Sequence, residues 1–168
     1  ILFISCFSSQ KKKIDDPDLL YRIGEDYLKK GAFVQALQAL FDAEKLDPKN
    51  HEIKNLIGFT FMVRGDYENS EKYYKKAISV KKDYPEAHIG LADVYIRLKK
   101  WNNAIHHADE ALSNILYMSP YEAYNIRGWA NFNNEDYNSA EVDFRNAISS
   151  NPNYVVAIYN LGLVYEKK

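Results

Sequence analysis

An all-α fold, with antiparallel helix pairs stacked into a solenoid, is what three observations in this sequence predict. Small and large apolar residues return every 34 positions from Leu20 onward. Within each return they fall at i, i+3, i+4 and i+7, the spacing of one helix face. Gly31, Gly65, Pro48 and Pro152 stand at the joints between these stretches, where glycine ends a helix cheaply and proline cannot continue one.

The units follow in order. The first unit, 17–50, opens with a helix carrying Leu20, Ile23, Gly24 and Tyr27. After Gly31 comes a second helix carrying Phe33, Ala36, Leu40 and Ala43, stopped at Asp47-Pro48. Unit two, 51–84, repeats this with Ile57, Gly58 and Phe61, then Gly65, then Tyr67, Ser70, Tyr74 and Ala77; Lys82 stands where proline is expected. Unit three, 85–118, gives Leu91, Ala92 and Tyr95, then Lys99, then Trp101, Ala104, Ala108 and Ala111. Two extra residues at Ser119-Pro120 precede unit four, 121–154, with Tyr124, Gly128, Tyr137, Ala140, Phe144, Ala147 and Pro152. A partial unit or cap, 155–168, restarts with Ile158, Leu161, Gly162 and Tyr165.

Each recurring place has a physical reason. Gly24, Gly58, Ala92, Gly128 and Gly162 mark where the paired helix crosses, so a larger side chain would push the pair apart. Ala36, Ser70, Ala104 and Ala140 play the same part from the second helix. A single pair cannot bury its apolar face alone, so neighbours share one continuous core.

This pattern of a large residue, Leu-Gly, Tyr, Ala, Phe, Ala and Pro resembles the tetratricopeptide repeat family over residues 17–168. The resemblance implies an all-α, right-handed superhelical solenoid that holds another protein and needs no cofactor. It is imperfect in unit four, where Arg127 replaces Leu and Asn131 replaces an inward Tyr. Some members grip a C-terminal carboxylate with a basic clamp; the matching places here include Tyr21, Glu25, Ile89 and Ile126, so that clamp is absent.

Composition narrows the function classes. With 22 basic against 23 acidic side chains, the net charge of -1 gives no nucleic-acid signature. No phosphate loop, zinc pattern or nucleophile motif occurs, and an enzyme is not expected. His106 and His107 are adjacent and point about 100° apart on a helix, so they cannot grip one metal together. His51 and His88 open helices and read as ordinary exposed residues.

The single cysteine, Cys6, follows the apolar run Ile1-Leu2-Phe3-Ile4 and Ser5. Without a Met ahead of it, that run reads as the tail of a longer segment upstream. It resembles a bacterial lipoprotein signal, in which the cysteine is lipidated and heads the mature chain. Residues 1–16 then form the signal end and a polar tether, and the protein sits in the cell envelope, periplasmic or surface-exposed. The alternative is an apolar N-terminus with an incidental cysteine on a cytoplasmic adaptor.

In the resembled family, first helices line a concave face, and its inward places map here onto named residues. They give a partner-binding groove of Tyr21, Asn55, Phe59, Met62, Val63, Ile89, Ile96, Asn125, Trp129 and Phe132. Its apolar members are not required by the repeat core, and such a patch marks an interaction site. An apolar segment of another protein is the expected occupant, with Asn55 and Asn125 bonding its backbone amides. A membrane-tethered scaffold aiding assembly of an envelope complex is the resulting expectation. A weaker resemblance to type IV pilus pilotin-like repeat lipoproteins rests on Ala111-Leu112, Leu116-Tyr117, Pro120, Gly128 and Ala140-Glu141.

Overall fold

The computed structural model describes residues 14–168. Among them run nine helices and no strand: α1 Pro17–Lys29, α2 Phe33–Leu46, α3 His51–Val63, α4 Tyr67–Val80, α5 Pro85–Arg97, α6 Trp101–Ser113, α7 Pro120–Asn133, α8 Tyr137–Ser150 and α9 Val155–Lys167. Cys6 and the apolar run before it lie outside the described residues.

Local chemistry sets the ends. Asp16 Oδ1 accepts from the backbone N–H of Asp18 at 2.9 Å and of Leu19 at 3.2 Å, just ahead of Pro17. Asn50 caps α3 in the same way, and Asp66 and Asp136 cap α4 and α8. Pro85 and Pro120 open α5 and α7, where a missing N–H costs nothing.

Within each pair the turn is identical. The N–H of Ala32, Asp66, Lys100 and Asp136 reaches back to the carbonyl of Tyr27, Phe61, Tyr95 and Asn131 at 2.8 to 3.0 Å. This closure needs one left-handed residue. Gly31 at φ +70° and Gly65 at φ +84° supply it at little cost; Lys99 at φ 56° and Glu135 at φ 64° hold the same place against a Cβ penalty.

Every helix packs on the next in the chain, and the first helices α1, α3, α5, α7 and α9 also touch in series. The second helices α2, α4, α6 and α8 pack closely on first helices and not on one another, although the Tyr73 side chain of α4 reaches Phe41 and Glu44 of α2. The first helices therefore form the inner, concave row and the second helices the outer one.

The crossings explain the small residues. A Cβ on Gly24 would lie 2.6 Å from Leu40, one on Gly58 3.1 Å from the Tyr74 ring and one on Gly128 2.8 Å from Phe144. Unit three closes with methyl groups instead, Ala92 and Ala108 both being fully buried. Gly162 departs from expectation: nothing lies within 4 Å of its Cβ position, because no second helix covers α9 among these residues. Gly90 matters although it is outside the repeat's small places, since its Cβ would stand 2.3 Å from the Tyr74 ring.

The two departures in unit four answer each other through Asp143, which is 2% exposed. Arg127 Nη2 donates to it at 2.6 Å and Nε at 3.1 Å, and Asn131 Nδ2 donates at 2.9 Å. Arg127 Nη1 also donates to Asp109. An ion-pair network on α6, α7 and α8 replaces the apolar contact that Leu and Tyr would make.

His88 is corrected too. It is 6% exposed, and its Nε2–H donates to the Lys82 carbonyl at 3.1 Å. Its Nδ1 faces His107 Nδ1 at 3.0 Å, so one proton is shared between two rings. His107 stacks on Tyr95, and Tyr95 donates to Glu71 at 3.1 Å.

Candidate functional site

First helices supply the walls of a trough on the concave side. A cavity of about 520 Å³ opens between α3, α5 and α7. Its apolar lining is Leu56, Phe59, Met62, Ile89 and Ile126, with Tyr74 and Tyr154 also lining it. A second cavity of about 390 Å³ continues it toward α9, with Ile96, Arg97, Trp129, Val156 and Asn160. Asp93, Asn125 and Ile126 line both. Gly90 leaves room for the Tyr74 ring against α5 and keeps the wall free of a side chain at that point.

The residues expected from sequence divide. Asn55, Phe59, Met62, Ile89 and Asn125 line the first cavity, and Ile96 and Trp129 the second. Tyr21 does not join them; it packs against the Leu20–Leu40 cluster at the start of the array. Val63 is 47% exposed and lines neither cavity. Phe132 lines neither: it stacks on Trp129 at 5.4 Å and meets the edge of Tyr137.

The idea that these apolar groups are spare to the core needs correction. Ile89 is buried with Ala111 and Ala123, Met62 and Ile96 pack on the Tyr74–Tyr95 cluster, and Trp129 packs on the Phe144 cluster. Only Phe59 and Val63 are substantially open to water, because the curve of the inner row presses the first helices together. Asn125 is likewise committed, its Oδ1 accepting from Asn160 Nδ2 at 3.0 Å. Asn55 Oδ1 is different: it is buried and receives no donor from the described residues.

The groove residues expected from sequence leave out Glu86 and Glu122, which stand at inward places of the family pattern, and Ile126 and Tyr154; all four line the first cavity. The signal was present in part, since each unit carries an acid two places in: Asp18, Glu52, Glu86 and Glu122. Burial and then the Glu122 carboxylate raise the Tyr154 phenol, in keeping with a negative field in the trough.

Among the described residues no group of three or more His, Cys, Asp or Glu could hold a metal ion. His106 is exposed, 4.0 Å from Glu110. No described helix is long and apolar enough to cross a membrane.

The buried histidine pair has a pH consequence. Burial, then His88 and His106, lowers the His107 imidazole from 6.5 to about 4. The unfolded chain therefore takes up the proton first, so this contribution to stability is full above pH 6.5 and lost as pH falls toward 4. Melting temperature should decline across that window in the wild type and decline less in His107→Phe; parallel curves would refute the assignment.

Two family models described as tetratricopeptide repeat match residues 62–114 and 121–154, together about half of the chain. A curated relative, Superkiller protein 3 of Schizosaccharomyces pombe, is 30% identical over 82 residues, covering 49% of this chain. The chain spans only 6% of that relative's length. Among solved structures, pilF of Pseudomonas aeruginosa superposes with a TM-score of 0.85 at 18% identity, over 90% of this chain and 68% of that one. PilW, described as a widely conserved type IV pilus biogenesis factor, gives 0.84 at 20% identity, over 88% and 68%. At such identities the likeness fixes the fold alone.

Proposed function

Because the chain belongs to the tetratricopeptide repeat family, a fold of non-catalytic protein-interaction scaffolds, we propose that it holds an apolar segment of another protein in its concave trough, as a membrane-tethered lipoprotein aiding assembly of a cell-envelope complex. One observation carries the binding reading: an open cavity of about 520 Å³ lined by Phe59, Leu56, Ile89 and Ile126, which the described residues leave unfilled. An apolar concavity of this size with a few polar groups is the usual form of a binding site. The anchor reading rests on Ser5-Cys6 after the apolar run, with a polar tether leading into Pro17. Two acyl chains there would suffice for stable attachment.

A narrower reading is a type IV pilus pilotin-like factor. It is favoured by the fold shared with pilF and PilW and by the residues between Ala111 and Glu141.

A photo-crosslinking residue at position 59, with one at Val34 on the outer row as control, tests the groove in cells. Position 59 should capture a discrete partner, and Trp129→Ala should remove the product while helicity is unchanged. Capture from position 34 alone would move the site to the convex face. For the anchor, a palmitate analogue should label wild type and not Cys6→Ala; an unlabelled wild type overturns the tether in favour of an unanchored adaptor.

A further inference from the structure

We propose that the segment held in the trough carries a cationic side chain, Lys or Arg, whose charge is balanced by Glu86, Asp93 and Glu122. This rests on the reading of the trough as a binding groove and adds the chemistry of its occupant.

The first cavity sets carboxylates over an apolar floor. Glu86, Asp93 and Glu122 contribute them, and among the described residues no Lys or Arg lines it. Arg97 in the adjoining cavity is tied to Asp93 at 3.4 Å. Among the described residues Glu122 accepts from the Tyr121 hydroxyl, and no base pairs with Glu86 or Glu122. Glu86 and Glu122 stand in the first turns of α5 and α7, where a helix start favours acids on its own. Asp93, two turns into α5, is not explained that way.

Three carboxylates give the cavity a negative field that no Lys or Arg among its described lining residues offsets. An arriving cation is drawn by that field and an arriving carboxylate is repelled by it. The apolar floor of Phe59, Ile89 and Ile126 takes the aliphatic stem, as long basic side chains require.

The test uses the full chain with three probes of one shape: 4-phenylbutylamine, 4-phenylbutanol and 4-phenylbutyrate, followed by NMR shifts of the Ile89 and Ile126 methyls and the Asn55 side-chain amide. The amine should bind about fivefold or more tighter than the alcohol, the margin of a charge-assisted over a neutral hydrogen bond, and the acid should leave the signals unmoved. In Glu86→Gln/Glu122→Gln the amine should fall toward the alcohol while the alcohol is unchanged. Equal binding of amine and alcohol would overturn the cationic occupant and leave the apolar groove standing. Failure of all three to move the methyls would overturn the groove as well.

Discussion

Tyr74→Ala is expected to cost the array about 3–5 kcal/mol, the range for emptying a large buried ring, read as a shift in the urea midpoint. Tyr74 is 2% exposed and fills hollows left by two glycines at once, Gly58 in its own pair and Gly90 in the next. It is thus the side chain that joins the second unit to the third. Gly90→Ala should be destabilising by about 1–2 kcal/mol: overpacking of this kind costs about 1–3 kcal/mol, partly offset by alanine's better helix propensity. In the Tyr74→Ala background the clash is gone and only the propensity remains, so the same substitution should become stabilising. Additive effects of the two changes would show that the ring does not occupy the Gly90 hollow.

Asp143→Ala should lose about 3 kcal/mol, the lower end of the range for breaking a buried ion pair, because Arg127 keeps some access to water and to Asp109. The loss comes from leaving a guanidinium and the Asn131 amide without their acceptor. The triple change Arg127→Leu, Asn131→Tyr, Asp143→Leu restores the apolar pattern of the repeat. It should be as stable as the wild type or more so, since a well-packed apolar set commonly equals a buried ion pair. Thermal melts of the two variants decide the matter: a triple variant as unstable as Asp143→Ala would mean that unit four needs the polar network for its shape.

How far the fold was legible depended on where each residue's reason lay. The crossings Gly24 with Leu40, Gly58 with Tyr74 and Gly128 with Phe144 repeat within a unit, so periodicity exposes them. Gly90 was invisible to the period because its reason is a ring from the preceding pair. Arg127 and Asn131 stood out as departures, but their partner Asp143 sits at an unremarkable place on α8. His88 looked exposed because its position in a first turn does not reveal that His107 of α6 comes to meet it. In the groove, the inward places were legible as a list of residues. How many of them the core had already absorbed was set by curvature, which no local pattern encodes. Phe59 stayed open, whereas Ile89 and Asn125 did not.

The outer row of helices meets itself through long side chains rather than backbone to backbone, as where Tyr73 of α4 reaches Phe41 and Glu44 of α2. Bending the array therefore strains the inner row most, while the gaps between α2, α4, α6 and α8 change by tilting such side chains. The buried side chains are divided into separate clusters along the axis, each of them bridging neighbouring helix pairs. The protein is built as a leaf spring: stiff across each leaf and compliant along its length. An occupant slightly too broad for the trough would be met by elastic opening of the rim rather than by unfolding of the wall.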